Sequence, residues 1–244
     1  MKQSLFTIRS NEKLTDSVCK MVLAGDTSAI TASGQFVNIQ LKGFFLRRPI
    51  SVCDYDENTL TILYKVVGKG TEAMSKMTPN HKLDVLTGLG NGYDTSLSGD
   101  KPLLIGGGVG VPPMYRLAKN LIAEGKKPVV ILGFNTAAEV FYKEEFEKLG
   151  AEVHVATADG SLGVKGFVTD VVKTIPDYTY FYTCGPEPML KALSDVTTTS
   201  GQLSFEERMG CGFGACMGCS CQTKYGNKRI CKDGPVLVKE EIIW

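Results

Sequence analysis

The sequence predicts a β-barrel, then an open parallel α/β unit, then a short cysteine-bearing tail. Three observations carry this reading. Up to about residue 90 the chain falls into short runs of β-branched and aromatic residues separated by turn signals, as in an antiparallel barrel. From Pro102 onward, bare apolar strands alternate with helical patterns, the rhythm of a parallel α/β sheet. From Gln202 the periodicity stops, and five of the eight cysteines fall between Cys211 and Cys231.

Each element has its own signal. Barrel strands are expected at Ser4–Ser10, Ser17–Leu23, Gln35–Leu41, Ile50–Tyr55 and Thr59–Val67. Turn residues such as Gly25-Asp26, Ser33-Gly34 and Gly68-Lys69-Gly70 separate them. A short helix is expected at Thr71–Met77 and a linker at Gly88–Asp100. Pro102–Ile105 leads as a strand into Gly106-Gly107-Gly108, and Met114–Ala123 reads as a helix. Pro128–Leu132 is a bare apolar strand. Glu139–Leu149 reads as a charged amphipathic helix stopped by Gly150, with Glu144–Lys148 on its solvated face. Strands at Glu152–Ala156 and Tyr178–Thr183 alternate with helices at Val168–Thr174 and Pro188–Thr197. The expected units are therefore residues 1–98, 99–201 and 202–244. The last is too small to bury a core by itself, and clustered thiols can staple it through a metal.

Composition bounds the function. A length of 244 residues suits one to two domains plus an appendage. With 43% apolar and 22% charged residues, wholesale disorder is excluded. The net charge of +1, with no basic block, offers nothing to nucleic acid. Two histidines, His81 and His154, leave no room for a multi-histidine metal site and sit at no triad spacing. The first residues lack the apolar core of a signal peptide. The longest uncharged stretches, Thr27–Leu41 and Pro102–Tyr115, are too short or too rich in Gly and Pro to span a bilayer. The expectation is a cytoplasmic chain with no membrane partner, whose cysteines do not form disulfides.

Four motifs carry chemistry. Cys211-(x4)-Cys216-(x2)-Cys219-(x11)-Cys231 has the plant-type [2Fe–2S] spacing. Gly210, Gly212, Gly214 and Gly218 let such a loop curl so that its amides face sulfur. The alternatives are a structural zinc knuckle, which usually presents two close cysteine pairs or mixes in histidine, and plain thiols. Cys221 is surplus to the spacing and is read as a bystander. Gly106-Gly107-Gly108-Val109-Gly110-Val111-Pro112-Pro113 joins a strand to a helix where a phosphate-bearing ligand could sit, or it is simply a tight turn. In Arg47-Arg48-Pro49-Ile50-Ser51, Arg48 could fork onto a phosphate, or both arginines are plain surface. Cys184-Gly185-Pro186-Glu187-Pro188-Met189 closes a parallel strand at its carboxyl end, where such sheets bind ligands, although a lone buried cysteine is commonly inert packing.

Together these motifs resemble the flavin-containing electron-transfer subunit of heteromeric (class 1B) dihydroorotate dehydrogenase, within the ferredoxin–NADP reductase superfamily. The resemblance covers essentially the whole chain. It implies an N-terminal flavin-binding barrel, a nucleotide-binding α/β domain and a small iron–sulfur segment. It implies FAD cradled by Arg48, Pro49, Ile50 and Ser51, by Leu63, Tyr64 and Lys65, and by Gly70 and Thr71. It sets Gly106, Gly107, Gly108 and Gly110 against NAD(H). Cys184, Gly185 and Pro186 fall at the nicotinamide–flavin contact, with Cys184 the catalytic candidate. Cys211, Cys216, Cys219 and Cys231 hold the cluster. The implied partner is an FMN-containing dihydroorotate dehydrogenase catalytic subunit, in a heterotetramer of two plus two. Related NADH-dependent reductase subunits of sulfide dehydrogenase, transhydrogenase or hydrogenase type, and a non-enzymatic zinc-stapled module, are the alternatives. Ile50 stands where many superfamily members carry an aromatic residue that stacks on the flavin. The expected basic patch of Lys224, Lys228, Arg229 and Lys232, with apolar residues to Trp244, would meet the partner. A chain ending before Gln202 would keep FAD.

Overall fold

The computed structural model describes residues 1–244. Its first strands are β1 (Lys2–Lys13), β2 (Val18–Ala24), β3 (Phe36–Gln40), β4 (Arg48–Tyr55) and β5 (Thr59–Lys65). A short helix α1 (Lys69–Ser75) and strand β6 (Lys82–Leu89) follow. They close into an antiparallel barrel in the order β1-β2-β5-β4-β3-β6. Alternate side chains point inward, so Phe6, Ile8, Met21, Leu23, Val37, Ile39, Ile62 and Val85 share one core.

The α/β part contains β7 (Pro102–Gly107), α2 (Val111–Ala123), β8 (Val129–Phe134), α3 (Lys143–Lys148), β9 (Glu152–Thr157) and β10 (Val164–Lys165). Helix α4 (Val168–Val172), β11 (Tyr180–Cys184), α5 (Glu187–Val196) and β12 (Gly201–Ser204) complete the alternation. The tail adds a hairpin, β13 (Ser220–Thr223) with β14 (Gly226–Arg229), and β15 (Val236–Val238). The large sheet has seven strands in the order β10-β9-β8-β7-β11-β12-β15. All its pairs are parallel except β12 with β15. Both faces are covered: Leu104 and Tyr182 pack into one core, and Leu103, Ile105 and Phe181 into the other. The chain builds outward from β7 to β10, then crosses to β11 on the other side of β7. That reversal opens a crevice at the carboxyl ends of β7 and β11.

Four expectations need correction. Strand β6 falls where no element was expected, because Lys82, Asp84 and Gly88 are poor strand formers; barrel closure onto β1 and β3 overrides them. The stretch 88–100 is no loose linker. Tyr93 is buried and its hydroxyl donates to the Thr183 carbonyl at 3.0 Å, while the Tyr182 hydroxyl donates to the Asp94 carbonyl at 2.8 Å. The helix expected at Glu139–Leu149 starts only at Lys143, since Tyr142 adopts a left-handed φ of 66° with its ring buried. Finally, the α/β sheet runs past residue 201 through β12, and the tail returns to extend it with β15.

Barrel and α/β unit are locked together. The Asp54 carboxylate on β4 meets Arg116 at 3.1 Å and Lys119 at 2.7 Å, both on α2. The Arg116 guanidinium also lies 4.0 Å from the centre of the Tyr55 ring.

Candidate functional site

The lock leaves two adjoining cavities between barrel and α/β unit. The first, of about 370 Å³, is walled on the barrel side by Arg48, Pro49, Ile50, Ser51, Leu63, Tyr64, Lys65 and Thr71. Val109 and Cys184 close it from the α/β side, and Ser204, Phe205, Glu206, Met209 and Pro235 from the tail. The second, of about 530 Å³, lies over the crevice, against Gly107, Gly108, Asn135, Ala158, Phe167, Pro186 and Met189. Lys65, Val109 and Glu206 line both, so a ligand in either cavity ends where the other begins.

Local structure explains this placement. The Arg48 guanidinium packs 5.0 Å from the Phe44 ring centre and donates to the Leu46 carbonyl, which holds it at the cavity mouth. Gly70 lets the Arg48 guanidinium lie directly against α1, since a Cβ there would stand 2.2 Å from Arg48 Nε and push that side chain aside. Thr71 accepts from the Val67 and Gly68 amides at 3.0 and 3.2 Å, closing the first turn of α1 beside the cavity. Gly107 and Gly108 bare their backbone to the second cavity. Gly106, Gly110 and Gly185 stand behind its wall instead. A Cβ on Gly110 would lie 2.1 Å from the Cys184 carbonyl oxygen, and one on Gly106 2.7 Å from Val111 Cα. A Cβ on Gly185 would lie 2.4 Å from the Met189 methyl. At Gly106 and Gly110 strand and helix backbones pack too closely for a side chain, while Gly185 sits under the flexible Met189 tip.

Burial, with a lesser contribution from the Glu206 charge, pushes the Cys184 thiol up to about 12. It is a neutral group on the wall of the first cavity, not a thiolate. Glu206 was missed from the sequence, since a Glu-Glu-Arg run reads as surface. The residue is exposed and lines both cavities, and desolvation by the surrounding protein raises its pKa.

The cluster motif folds as two thiol pairs, Cys211 with Cys216 and Cys219 with Cys231. No three metal-ligating side chains form one compact site. Two pairs suit two irons better than one tetrahedral ion. The loop amides already face sulfur. Those of Phe213, Ala215 and Cys216 donate to Cys211 Sγ at 3.5, 3.2 and 3.4 Å. The Gly218 amide donates to Cys216 Sγ at 3.5 Å and that of Cys231 to Cys219 Sγ at 3.4 Å. Gly212 and Gly214 make the curl possible, with φ of 78° and 90°. Burial opposes ionisation of Cys211, but its amide donors outweigh it and bring the thiol to about 6. Burial and the adjoining Cys219 push Cys231 up to about 12, so that thiol ionises only with positive charge beside it. The donor set therefore fits the group that its spacing suggests. Cys221 lies apart on β13, where it packs against an apolar cluster.

That apolar cluster joins the two sites. It holds Phe36, Leu86, Ile230, Cys219 and Cys231, with Phe205 and Met209 packed against it. Phe36, Phe205 and Met209 also line the first cavity. Trp244 stacks against Phe205 at 5.9 Å between ring centres, one ring behind that wall. The expected basic docking patch is largely spent within the chain. Lys228 pairs with Glu241, and Arg229 grips Asp233 at 3.0 Å and the Gly214 carbonyl at 3.0 Å. Val236 and Ile242 fold inward, while Phe213 and Met217 on the cluster loop remain 42% and 55% exposed.

The comparisons agree with this geometry. Residues 206–243 match the family described as the iron–sulfur cluster binding domain of dihydroorotate dehydrogenase B, and residues 104–195 match the oxidoreductase NAD-binding domain. The first match decides between the iron–sulfur and zinc readings that spacing left open. The chain is 43% identical to the electron transfer subunit of dihydroorotate dehydrogenase B (NAD(+)) of Fusobacterium nucleatum, over 99% of both chains. It is 41% identical to the subunit of that name from a Geobacillus strain, over 100% of this chain and 99% of the relative. Among solved structures, a chain of an NADH-dependent reduced ferredoxin–NADP oxidoreductase is 29% identical with a TM-score of 0.88, covering 98% of this chain and 90% of that one.

Proposed function

The chain belongs to the family of electron transfer subunits of NAD(+)-dependent dihydroorotate dehydrogenase B, and from that premise we propose how its residues divide the work. It passes electrons between NAD(H), its own FAD, a [2Fe–2S] cluster and a partner catalytic subunit that interconverts dihydroorotate and orotate in pyrimidine biosynthesis. Bound FAD supplies the conversion between the two electrons of nicotinamide and the single electrons of the cluster.

The first cavity takes the flavin and the second the dinucleotide. Arg48 binds FAD phosphate as a charge-assisted pair, and Ile50, Leu63 and Tyr64 provide an apolar seat. Gly107 and Gly108 let the dinucleotide approach bare backbone. Pro186 and Met189 hold its nicotinamide end toward Lys65, Val109 and Glu206. Cys184 presents a neutral thiol to the flavin cavity, close to that junction. Cys211, Cys216, Cys219 and Cys231 hold the cluster. The units run from 1 to 98 for the flavin, from 99 through β12 for the dinucleotide, and from there to 244 for the cluster. No helix is long and apolar enough to cross a membrane. We place the protein in the cytoplasm, in a heterotetramer of two plus two with an FMN-containing partner, and its exposed cluster loop at that contact.

One observation carries this reading: the cluster cysteines Cys219 and Cys231 pack in one apolar core with Phe36, Phe205 and Met209 of the first cavity. Anaerobic absorbance spectroscopy of the purified chain tests it. One FAD and one [2Fe–2S] centre per chain, both bleached by NADH, are expected. A colourless protein, or a flavin that bleaches while the iron–sulfur bands persist, would overturn it.

A further inference from the structure

Asn38 is a buried polar residue in the middle of β3, 1% exposed. Its partner in β4 is Pro49, on the wall of the flavin cavity. Its partner in β6 is Leu86, which packs in the apolar cluster with Cys219 and Cys231. It thus stands between the flavin strand and the cluster segment. Asn38 Nδ2 donates to the carbonyl oxygen of Cys211 at 3.1 Å. That oxygen can only accept, so the amide nitrogen must face it. The fit is close on the loop side too, since a Cβ on Gly212 would lie 2.3 Å from Nδ2. Arg47, paired with Asp84 at 2.8 Å, donates to the Asn38 carbonyl at 3.2 Å and steadies the strand from below.

The other half of the amide is unrewarded: Asn38 Oδ1 is buried without a partner. An apolar side chain of the same size would avoid that cost, so stability alone does not account for asparagine here. What it provides is the bond to Cys211. Resting on the cluster reading above, we propose that Asn38 is a positioning residue for electron transfer, fixing the first cluster ligand relative to the flavin-bearing strand. Cys211 opens the loop that also carries Cys216, so one bond sets the register of one whole thiol pair against the barrel. Groups that orient a metal ligand from behind commonly change affinity or activity when removed.

The test uses the holoprotein with Asn38→Leu, which removes the donor and the orphan oxygen together, and Asn38→Ala, which removes both and leaves space. FAD content, thermal midpoint and the rate of flavin reduction by NADH should stay near wild type in Asn38→Leu. Cluster loss to an iron chelator should accelerate, or cluster reduction after the flavin should slow, by roughly 10- to 100-fold. The reduced-cluster EPR signal should shift in both variants. If Asn38→Leu does not fold, Asn38→Ser carries the same expectation. Wild-type cluster lifetime, EPR signal and reduction rate in the variants would overturn the proposal. Parallel loss of FAD would also overturn it, because Asn38 would then be a general barrel residue. A wild-type chain with no iron would instead sink the functional reading on which the proposal rests.

Discussion

Arg48 and Glu206 both line the cavity proposed for the flavin and are legible to different degrees in the sequence. Arg48 stands out because Arg-Pro-Ile-Ser ends an exposed loop and begins a strand. Arg48→Ala should weaken FAD retention by about 1.5–3 kcal/mol, roughly 10- to 150-fold in dissociation constant, as measured by flavin fluorescence. Glu206 is invisible without the fold that brings β12 beside β11. Its carboxyl is already raised by the surrounding protein, and ligands in both cavities strip its remaining solvent. The neutral form then gains further when the bound ring is uncharged, so binding of a non-reducing tetrahydro analogue of NADH should take up protons at mildly acidic pH. Calorimetry in buffers of different ionisation heat should detect that uptake, and Glu206→Gln should abolish it. For Cys184 the sequence left both a site role and inert packing open, and the structure gives a buried, neutral thiol. Its thiolate forms only near pH 12, so iodoacetamide should label the exposed Cys216 of the metal-free chain and spare Cys184 throughout the neutral range.

At the scale of elements, the cluster loop was the most readable part, because its ligand spacing and its glycines are both written in sequence. Cys211→Ser, Cys216→Ser, Cys219→Ser and Cys231→Ser should each lose the iron–sulfur spectrum, while Cys221→Ser keeps it. The reverse behaviour of Cys219 and Cys221 would reassign the third ligand. The unreadable elements share a cause. Strand β6 has charged and glycine positions that disfavour a strand locally, and only two neighbouring strands make it form. Tyr142 halts a helix whose composition runs on toward Glu139, because its ring is needed in the core beside Phe146 and Tyr115. Strands β12 and β15 are too short to announce themselves and exist by pairing with β11 and with each other. Local propensity yields to tertiary pairing in each case.

The whole molecule behaves as one body with a shared wall. The tail supplies Ser204, Phe205, Glu206, Met209 and Pro235 to the flavin cavity and a strand to the α/β sheet. A chain ending before Gln202 should therefore lose FAD readily and expose the edge of β11, contrary to what the order of motifs suggested. Gel filtration with flavin quantification checks this. On the proposed assignment the flavin lies between a dinucleotide cavity on one side and a cluster near the surface on the other, and no second substrate cavity is needed in this chain. The most direct test is dihydroorotate-dependent NAD+ reduction by the purified chain, with and without the FMN-containing catalytic subunit. Turnover only when the catalytic subunit is added, and its loss in the cluster-ligand variants, is the predicted result; dihydroorotate turnover by this chain alone would contradict the account.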